Sequence, residues 1–550
     1  MAKADHILFG GPILTMDPAY PRAEALAIAK GRILAVGTLP EIEALSGAHT
    51  VRENLRGAAL MPGLIESHTH ALWGGCRDLF QVYTGYQATV PQLAEAVRTR
   101  AARLPKGAWI SGGPWRYDMS AEIAQSPRAW LDQLAPHHPV ALSDTTQHAL
   151  WCNSKALDAA GLSDSTAEIS GGVMGRSASG ALSGFLAEAA CAPVMRHLPW
   201  SAEQLDQACD YAVRYFNSLG YTGFKEPSAD PADLAAYARA HDQGRLHLHA
   251  AAHLTAFSPL SNDLIPLARL NDLRATYRRP GLGLDFSKLF LDGVAPAYTA
   301  SFLAPYLARP GYDPATHSPD ATLLLAPEHL AQIVTEHDAA GFCVKMHAVG
   351  DNAARKGLDA IAAARAANGP NGPRHEIAHC TFISDTDLPR FAALNAVAEV
   401  SPKLWMPNAA TSAQVAALGA ARLAQVHRIR ALLAAGAEVI FGTDWPASAP
   451  DANPWSGLAG MISRRDPSRA YPGSVAPDEA ISLAEALPLF TRNAARAMGL
   501  AGQTGQLKPG LWADYILLET DPFSQSNAAL FATCVARTVF KGQTVYEARG

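Results

Sequence analysis

The sequence predicts an α/β protein built on a (β/α)8 TIM barrel, with a small β-sandwich domain assembled from both chain ends. Three observations lead there. Residues 58 to about 500 alternate short apolar, β-branched runs with Ala/Leu-rich stretches of helical period, the pattern of βα units around a parallel sheet. Short strands and Gly turns occupy residues 1–57, too little to bury a core alone, and a matching set occupies 501–550. Ionisable side chains recur where the central apolar runs stop, which is the end of a barrel strand where that fold carries its chemistry.

The N-terminal strands are Ile7-Leu8-Phe9, Ile13-Leu14-Thr15-Met16, Ala25 to Ile28 and Arg32 to Val36, with Gly10-Gly11 and Lys30-Gly31 as turns. Their C-terminal counterparts are Gly510 to Leu518, Ala536 to Phe540 and Thr544 to Tyr546, with Lys541-Gly542 as a turn, and the two sets are expected to pair. In the body, helical patterns fall at 91–103, 202–218, 229–241, 327–340, 352–368 and 411–435. Candidate strands are 62–68, 139–144, 219–225, 246–252, 286–291, 341–347, 375–380, 396–401 and 438–443, so one of them, or the 108–113 run, is surplus to eight. Residues 148–190, with Gly171-Gly172, Gly175 and Gly180, read as an insertion of the kind that lines a barrel mouth.

Charged residues are 17% of the chain and the net charge is −5, which argues against a polyanion-binding surface and so against a nucleic-acid partner. The N-terminus shows no charged segment leading into an apolar one, and no run of about 18 uncharged apolar residues occurs. The expectation is a cytoplasmic protein without a membrane partner. Seven scattered cysteines, none in Cys-x-x-Cys spacing, argue against a disulfide framework and against a thiolate zinc site.

His68-Thr69-His70 closes the first apolar run, and alternation along a strand points both imidazoles to one side. His347 ends Val344-Lys345-Met346-His347, His379 ends Glu376-Ile377-Ala378-His379, and Asp444 ends Val439 to Asp444 before Trp445-Pro446. Lys288 stands inside an apolar strand. Taken singly, each has an ordinary explanation: a hydrogen-bonded structural histidine, an aspartate at a turn, a lysine reaching solvent. Four histidines and an aspartate recurring at strand ends are harder to explain that way, because a barrel mouth is where they would meet. Neutral imidazoles and a carboxylate suit a divalent metal, zinc being the commonest, as one or two ions per chain.

Over nearly its whole length the chain resembles the amidohydrolase superfamily, in the YtcJ-like branch (amidohydrolase family 3) that includes N-substituted formamide deformylases. The resemblance rests on Thr15-Met16-Asp17, Gly31 to Gly37, Met61-Pro62-Gly63 leading into His68-Thr69-His70, Trp151 to Leu157, Lys288 to Gly293, His347 to Asp351, His379 and Gly442 to Pro446. It implies that His68 and His70 hold one metal and His347 and His379 a second, with Asp444 on the first metal and handling protons. It also implies a bridging lysine carboxylated by carbon dioxide. Lys288 is the first choice for that residue, Lys225 at another strand end the alternative, and Lys345 the third.

The expected function is metal-dependent hydrolysis of a linear C–N amide bond of the N-formyl or N-acyl amine class in a small-molecule substrate. A water ionised by the metal would attack the carbonyl, and Asp444 would pass a proton to the departing nitrogen. The alternatives are hydrolysis of a cyclic amide, carbamate, ester or lactone, deamination of a heterocycle, and, last, a binding protein without turnover. Trp115, His148, Asn153 and Trp405 are the candidate substrate-binding residues of the pocket wall, with core or loop packing as the competing role. The assembly is not legible, although such enzymes are often homodimers.

Overall fold

The computed structural model describes residues 2–548 except 124, 146–148, 170–171, 259–262, 310, 402–405, 409–410 and 448. The chain divides into two compact units, 1–71 with 210–550, and 72–209.

In the first unit the chain ends share one mixed sheet, ordered Gln543–Glu547, Val535–Phe540, Tyr515–Leu518, Ala59–Pro62, His6–Leu14, Arg22–Ala29 and Arg32–Gly37, with Val51–Asn54 alongside His6–Leu14. Ala59–Pro62 joins the two ends, running antiparallel to Tyr515–Leu518 with Ile516 opposite Met61. Leu8, Leu26, Leu60, Tyr515, Leu517 and Val539 are buried together, so the two ends share one core cluster. This is the expected sandwich-like terminal domain, with 59–62 added to it.

The run predicted as one strand over 62–68 is therefore two. The Gly63 N–H donates to Asp514 O (3.1 Å) in the terminal sheet, and the Leu64 N–H donates to Gly220 O (2.9 Å) in the barrel. A Cβ on Gly63 would lie 2.2 Å from Thr222 Oγ1, so only glycine lets the chain pass from one sheet to the other here.

The barrel strands are Leu64–Glu66, Tyr221–Ala229, His249–Thr255, Leu282–Phe290, Cys343–Ala348, Glu376–His379, Val397–Val400 and Glu438–Phe441, called here strands one to eight. All neighbours are parallel. The ring closes where the Ser67 N–H donates to Phe441 O (3.0 Å) and the Asp444 N–H to His68 O (2.8 Å). Helices such as Pro231–Asp242, Pro327–Ala339 and Asp351–Asn368 lie where the periodicity places them. The 411–435 pattern instead breaks into Thr411–Leu418, Ala420–Leu423 and Ile429–Ala434, the first break falling at Gly419 with φ 82°.

The surplus strand is 139–144. Val140–Asp144 pairs with Ile110–Trp115 and turns back antiparallel onto Ala149–Cys152, in a six-stranded sheet of the 72–209 unit. A strand whose edge is taken by its own hairpin partner has no edge left for a barrel neighbour. The 148–190 stretch supplies half of that sheet, so the inserted unit is larger than a loop. Among the described residues no helix is long and apolar enough to cross a membrane. All seven cysteines are free thiols, with only Cys534 exposed.

Candidate metal centre

Strands one and eight bring the first three side chains together. Glu66 Oε1 accepts from the His68 N–H (3.0 Å) and the Thr443 N–H (2.9 Å), which staples the two strand ends side by side. A Cβ on Gly442 would sit 2.3 Å from that of His68, so glycine is needed for the approach. Asp444, at φ 57°, then turns its carboxylate inward. Its Oδ1 lies 3.5 Å from His68 Nε2 and 3.4 Å from His70 Nε2.

His347 and His379 complete the cluster from strands five and six. The His379 ring centroid is 4.8 Å from that of His68 and 4.9 Å from that of His347. His379 and Cys380 both have positive φ (73° and 42°), a strained corner that the surrounding packing holds in place. Cys380 is buried, its Sγ donating to Ile377 O (3.2 Å).

Each imidazole is held from behind. His68 Nδ1 lies 2.6 Å from Glu399 Oε1, His70 Nδ1 3.5 Å from Glu226 Oε1, His347 Nδ1 3.2 Å from Asp292 Oδ1 and His379 Nδ1 3.1 Å from Ser401 Oγ. Asp292 also accepts from the N–H groups of Ser301, Val349 and Gly350, so the His347 nitrogen facing it must donate. Partners of this kind fix which ring nitrogen is left to coordinate a metal.

The three candidate lysines are all buried but differ in what surrounds them. Lys225 pairs with Glu376. Lys345 pairs with Glu399 and lies 3.3 Å from Glu376 Oε2, and burial, which would lower its pKa, is outweighed by these two carboxylates. The Lys288 ammonium has neither a hydrogen bond nor an ion pair among the described residues. The face of Phe290 lies 4.6 Å from it, and Lys345, Glu399, Asp444 and Glu376 act on it through space. Burial, with Lys345 nearby, brings Lys288 down to about 7.

Burial, reinforced by Lys345 and Lys288, holds His68 well below the ordinary histidine range. His379 is lowered likewise by burial and the neighbouring imidazoles. Burial acts downward on His70 too, but its contacts with Asp444 and Glu226 outweigh it and lift this histidine to about 9. Asp444 is held well below the carboxylate range, since the facing histidines outweigh its burial. Two carboxylates thus stabilise positive charge at His70, where neutral imidazoles stand beside them. That is the donor set and the field a divalent cation needs, so the residues fit such an ion.

Trp115 and Asn153 have packing and capping roles inside the 72–209 unit. Trp115 is fully buried in the 72–209 unit, stacked on Trp151 at 4.3 Å with Nε1 donating to Leu142 O. Asn153 caps the helix Ser154–Ala159 and bonds to Val140 N and His138 O. The side-chain polar atoms of both are committed to holding that unit together. His148 and Trp405 lie outside the described residues. Sequence reasoning passed over Glu66, Glu226, Glu399 and Ser401. The available signal was a polar or charged residue within an otherwise apolar run.

The amidohydrolase family matches residues 53–546. The chain is 29% identical to Protein LONG AFTER FAR-RED 3 of Arabidopsis thaliana, over 99% of this chain and 92% of that one. It is 26% identical to the N-substituted formamide deformylase of Arthrobacter pascens, over 99% of each. Among solved structures, an uncharacterized metal-dependent hydrolase from Pyrococcus horikoshii shares the fold, with a TM-score of 0.75 and 23% identity over 95% of this chain and 99% of that one. A match across almost the whole sequence and a barrel with these side chains at its mouth agree: the chain belongs to the amidohydrolase family.

Proposed function

We propose that this amidohydrolase is a metal-dependent hydrolase of linear C–N amide bonds, acting on N-formyl or N-acyl amines. The observation that carries the reading is the convergence of His68, His70, His347, His379 and Asp444 at one end of the barrel. His68 and His70 would hold one ion with Asp444, and His347 and His379 a second, zinc being the ion best suited to the set. When bound, such an ion lowers the pKa of water toward neutrality and polarises a carbonyl oxygen.

Asp444 is placed for the proton traffic. Buried yet ionised, it can take a proton from the attacking water and give it to the leaving nitrogen, which departs poorly as an anion. Lys288 is the residue we assign as the bridge. A buried amine with no salt-bridge partner among the described residues and a pKa of about 7 keeps a large neutral fraction, and its lone pair can attack the carbon of carbon dioxide with loss of a proton, leaving an anionic carbamate. Lys225 and Lys345 are already committed to Glu376 and Glu399.

The N-formyl class is favoured by the similarity to the Arthrobacter pascens enzyme, whose name gives an N-substituted formamide as its substrate. The test is turnover of matched N-formyl, N-acetyl and aryl amides by the zinc-loaded protein, with both products identified. Release of formate or another carboxylic acid with an amine is expected. Ammonia as the only nitrogen product would favour deamination instead.

A further inference from the structure

Beneath the ligands runs a file of buried side chains that the proposed reaction does not use. From strands two, six, five and seven come Lys225, Glu376, Lys345 and Glu399, alternating in sign and all essentially inaccessible to solvent. Lys225 pairs with one oxygen of Glu376, Lys345 lies 3.3 Å from the other, and Lys345 also pairs with Glu399 Oε2. Burying four charges stabilises a fold little, and apolar side chains of similar volume would commonly do as well. The file ends at a ligand: Glu399 Oε1 lies 2.6 Å from His68 Nδ1. The Lys345 ammonium also donates to Ser67 O (2.8 Å), the carbonyl of the peptide bond leading into His68. One ammonium therefore anchors both the backbone that enters His68 and the carboxylate behind its ring.

We infer that Glu399, held by Lys345, is a positioning residue that fixes His68 as the tautomer protonated on Nδ1, so that Nε2 faces Asp444 and His70 as the coordinating atom. The inference rests on the cation-site reading above. A neutral imidazole carries one ring proton and a carboxylate offers only acceptors, so at 2.6 Å a proton on Nδ1 replaces the repulsion of two lone pairs with an attraction. Lys345 offers only donors, so it claims whatever acceptor the side chain at 399 retains.

That asymmetry gives a test that mere packing would not pass. In Glu399→Gln the single amide oxygen turns to Lys345, and the NH2 group is left facing His68 Nδ1. This selects the wrong tautomer, with the proton on Nε2. Glu399→Ala leaves either tautomer open, and Glu399→Asp keeps an acceptor-only group. The probe is zinc, titrated against a chelator on the purified full-length chain, with a thermal melt of each variant alongside.

The expected order of zinc affinity is wild type, then Glu399→Asp, then Glu399→Ala, then Glu399→Gln, with Glu399→Ala weakened roughly 10- to 100-fold and stoichiometry unchanged at saturating zinc. If Glu399→Ala does not fold, Glu399→Asp binding more tightly than Glu399→Gln is the expected result and the reverse overturns the proposal. Isosteric Glu399→Gln binding as tightly as wild type, or more tightly than Glu399→Ala, would reduce Glu399 to packing. Loss of one zinc equivalent at saturation in Glu399→Ala would make it a ligand. Either result overturns the proposal alone, whereas a wild-type chain that takes up no zinc overturns the cation-site reading and the proposal with it.

Discussion

Replacing Lys288 with Met separates the bridging assignment from its rivals, because it should stabilise the metal-free protein while impairing metal uptake. The side chain is 1% exposed, with no anion paired to its ammonium among the described residues. Its pKa falls from 10.5 to about 7. At about 1.4 kcal/mol per tenfold change in proton affinity, holding this amine in the fold at neutral pH costs roughly 4–5 kcal/mol, which a Met of similar length avoids. The folded pKa lies below the unfolded one, so between pH 7 and 10.5 the unfolded chain binds more protons and wild-type stability rises with pH. The variant lacks that rise. Melting curves of chelator-treated protein should therefore show Lys288→Met unfolding several degrees above wild type near pH 7, with the gap closing toward about pH 10. Metal analysis should show the variant holding fewer ions. A variant that melts below wild type at all pH values and keeps its full metal complement would refute the reasoning.

Lys225→Met should behave oppositely: it strips one partner from buried Glu376, so chemical denaturation should show a loss of about 3 kcal/mol while metal content is kept. Asp444→Asn should fold normally and lose at least about 100-fold in kcat, read by amide turnover, because the amide cannot relay the proton. Glu66, raised from 4.5 to about 8 by burial, is protonated in the fold over a range where the unfolded chain is ionised. Its contribution to stability is full below about pH 4.5 and declines as pH rises toward 8, so denaturation at about pH 5.5 and 8 should show a smaller pH dependence in Glu66→Gln.

What the sequence revealed and what it hid follow from the range of the interactions. Strand ends bearing His347, His379 and Asp444 were legible because period-two apolar runs stop abruptly at them, and the barrel brings strand ends together whatever the helices between them do. The surplus strand 139–144 was not separable from its neighbours, since its apolar run is as long and as β-branched as those in the barrel. What excludes it is a hairpin partner at 149–152, and partner choice is tertiary. The break at Gly63 was invisible for a related reason: it is set by Thr222, more than 150 residues away. Trp115 and Asn153 drew notice as strand-end aromatic and polar residues, but both serve the interior of the 72–209 unit. The carboxylates behind the histidines could be suspected only as charges on apolar strands, and which histidine each one holds depends on register between strands distant in sequence.

The most direct test of a divalent centre at this barrel mouth is the metal content of the purified chain, measured with hydrolysis of an N-formyl amine before and after chelation and zinc return. The prediction is one or two divalent ions per wild-type chain, activity lost with them and restored by zinc, and a reduced count in His70→Ala. Undiminished turnover by a chain stripped of metal would contradict it.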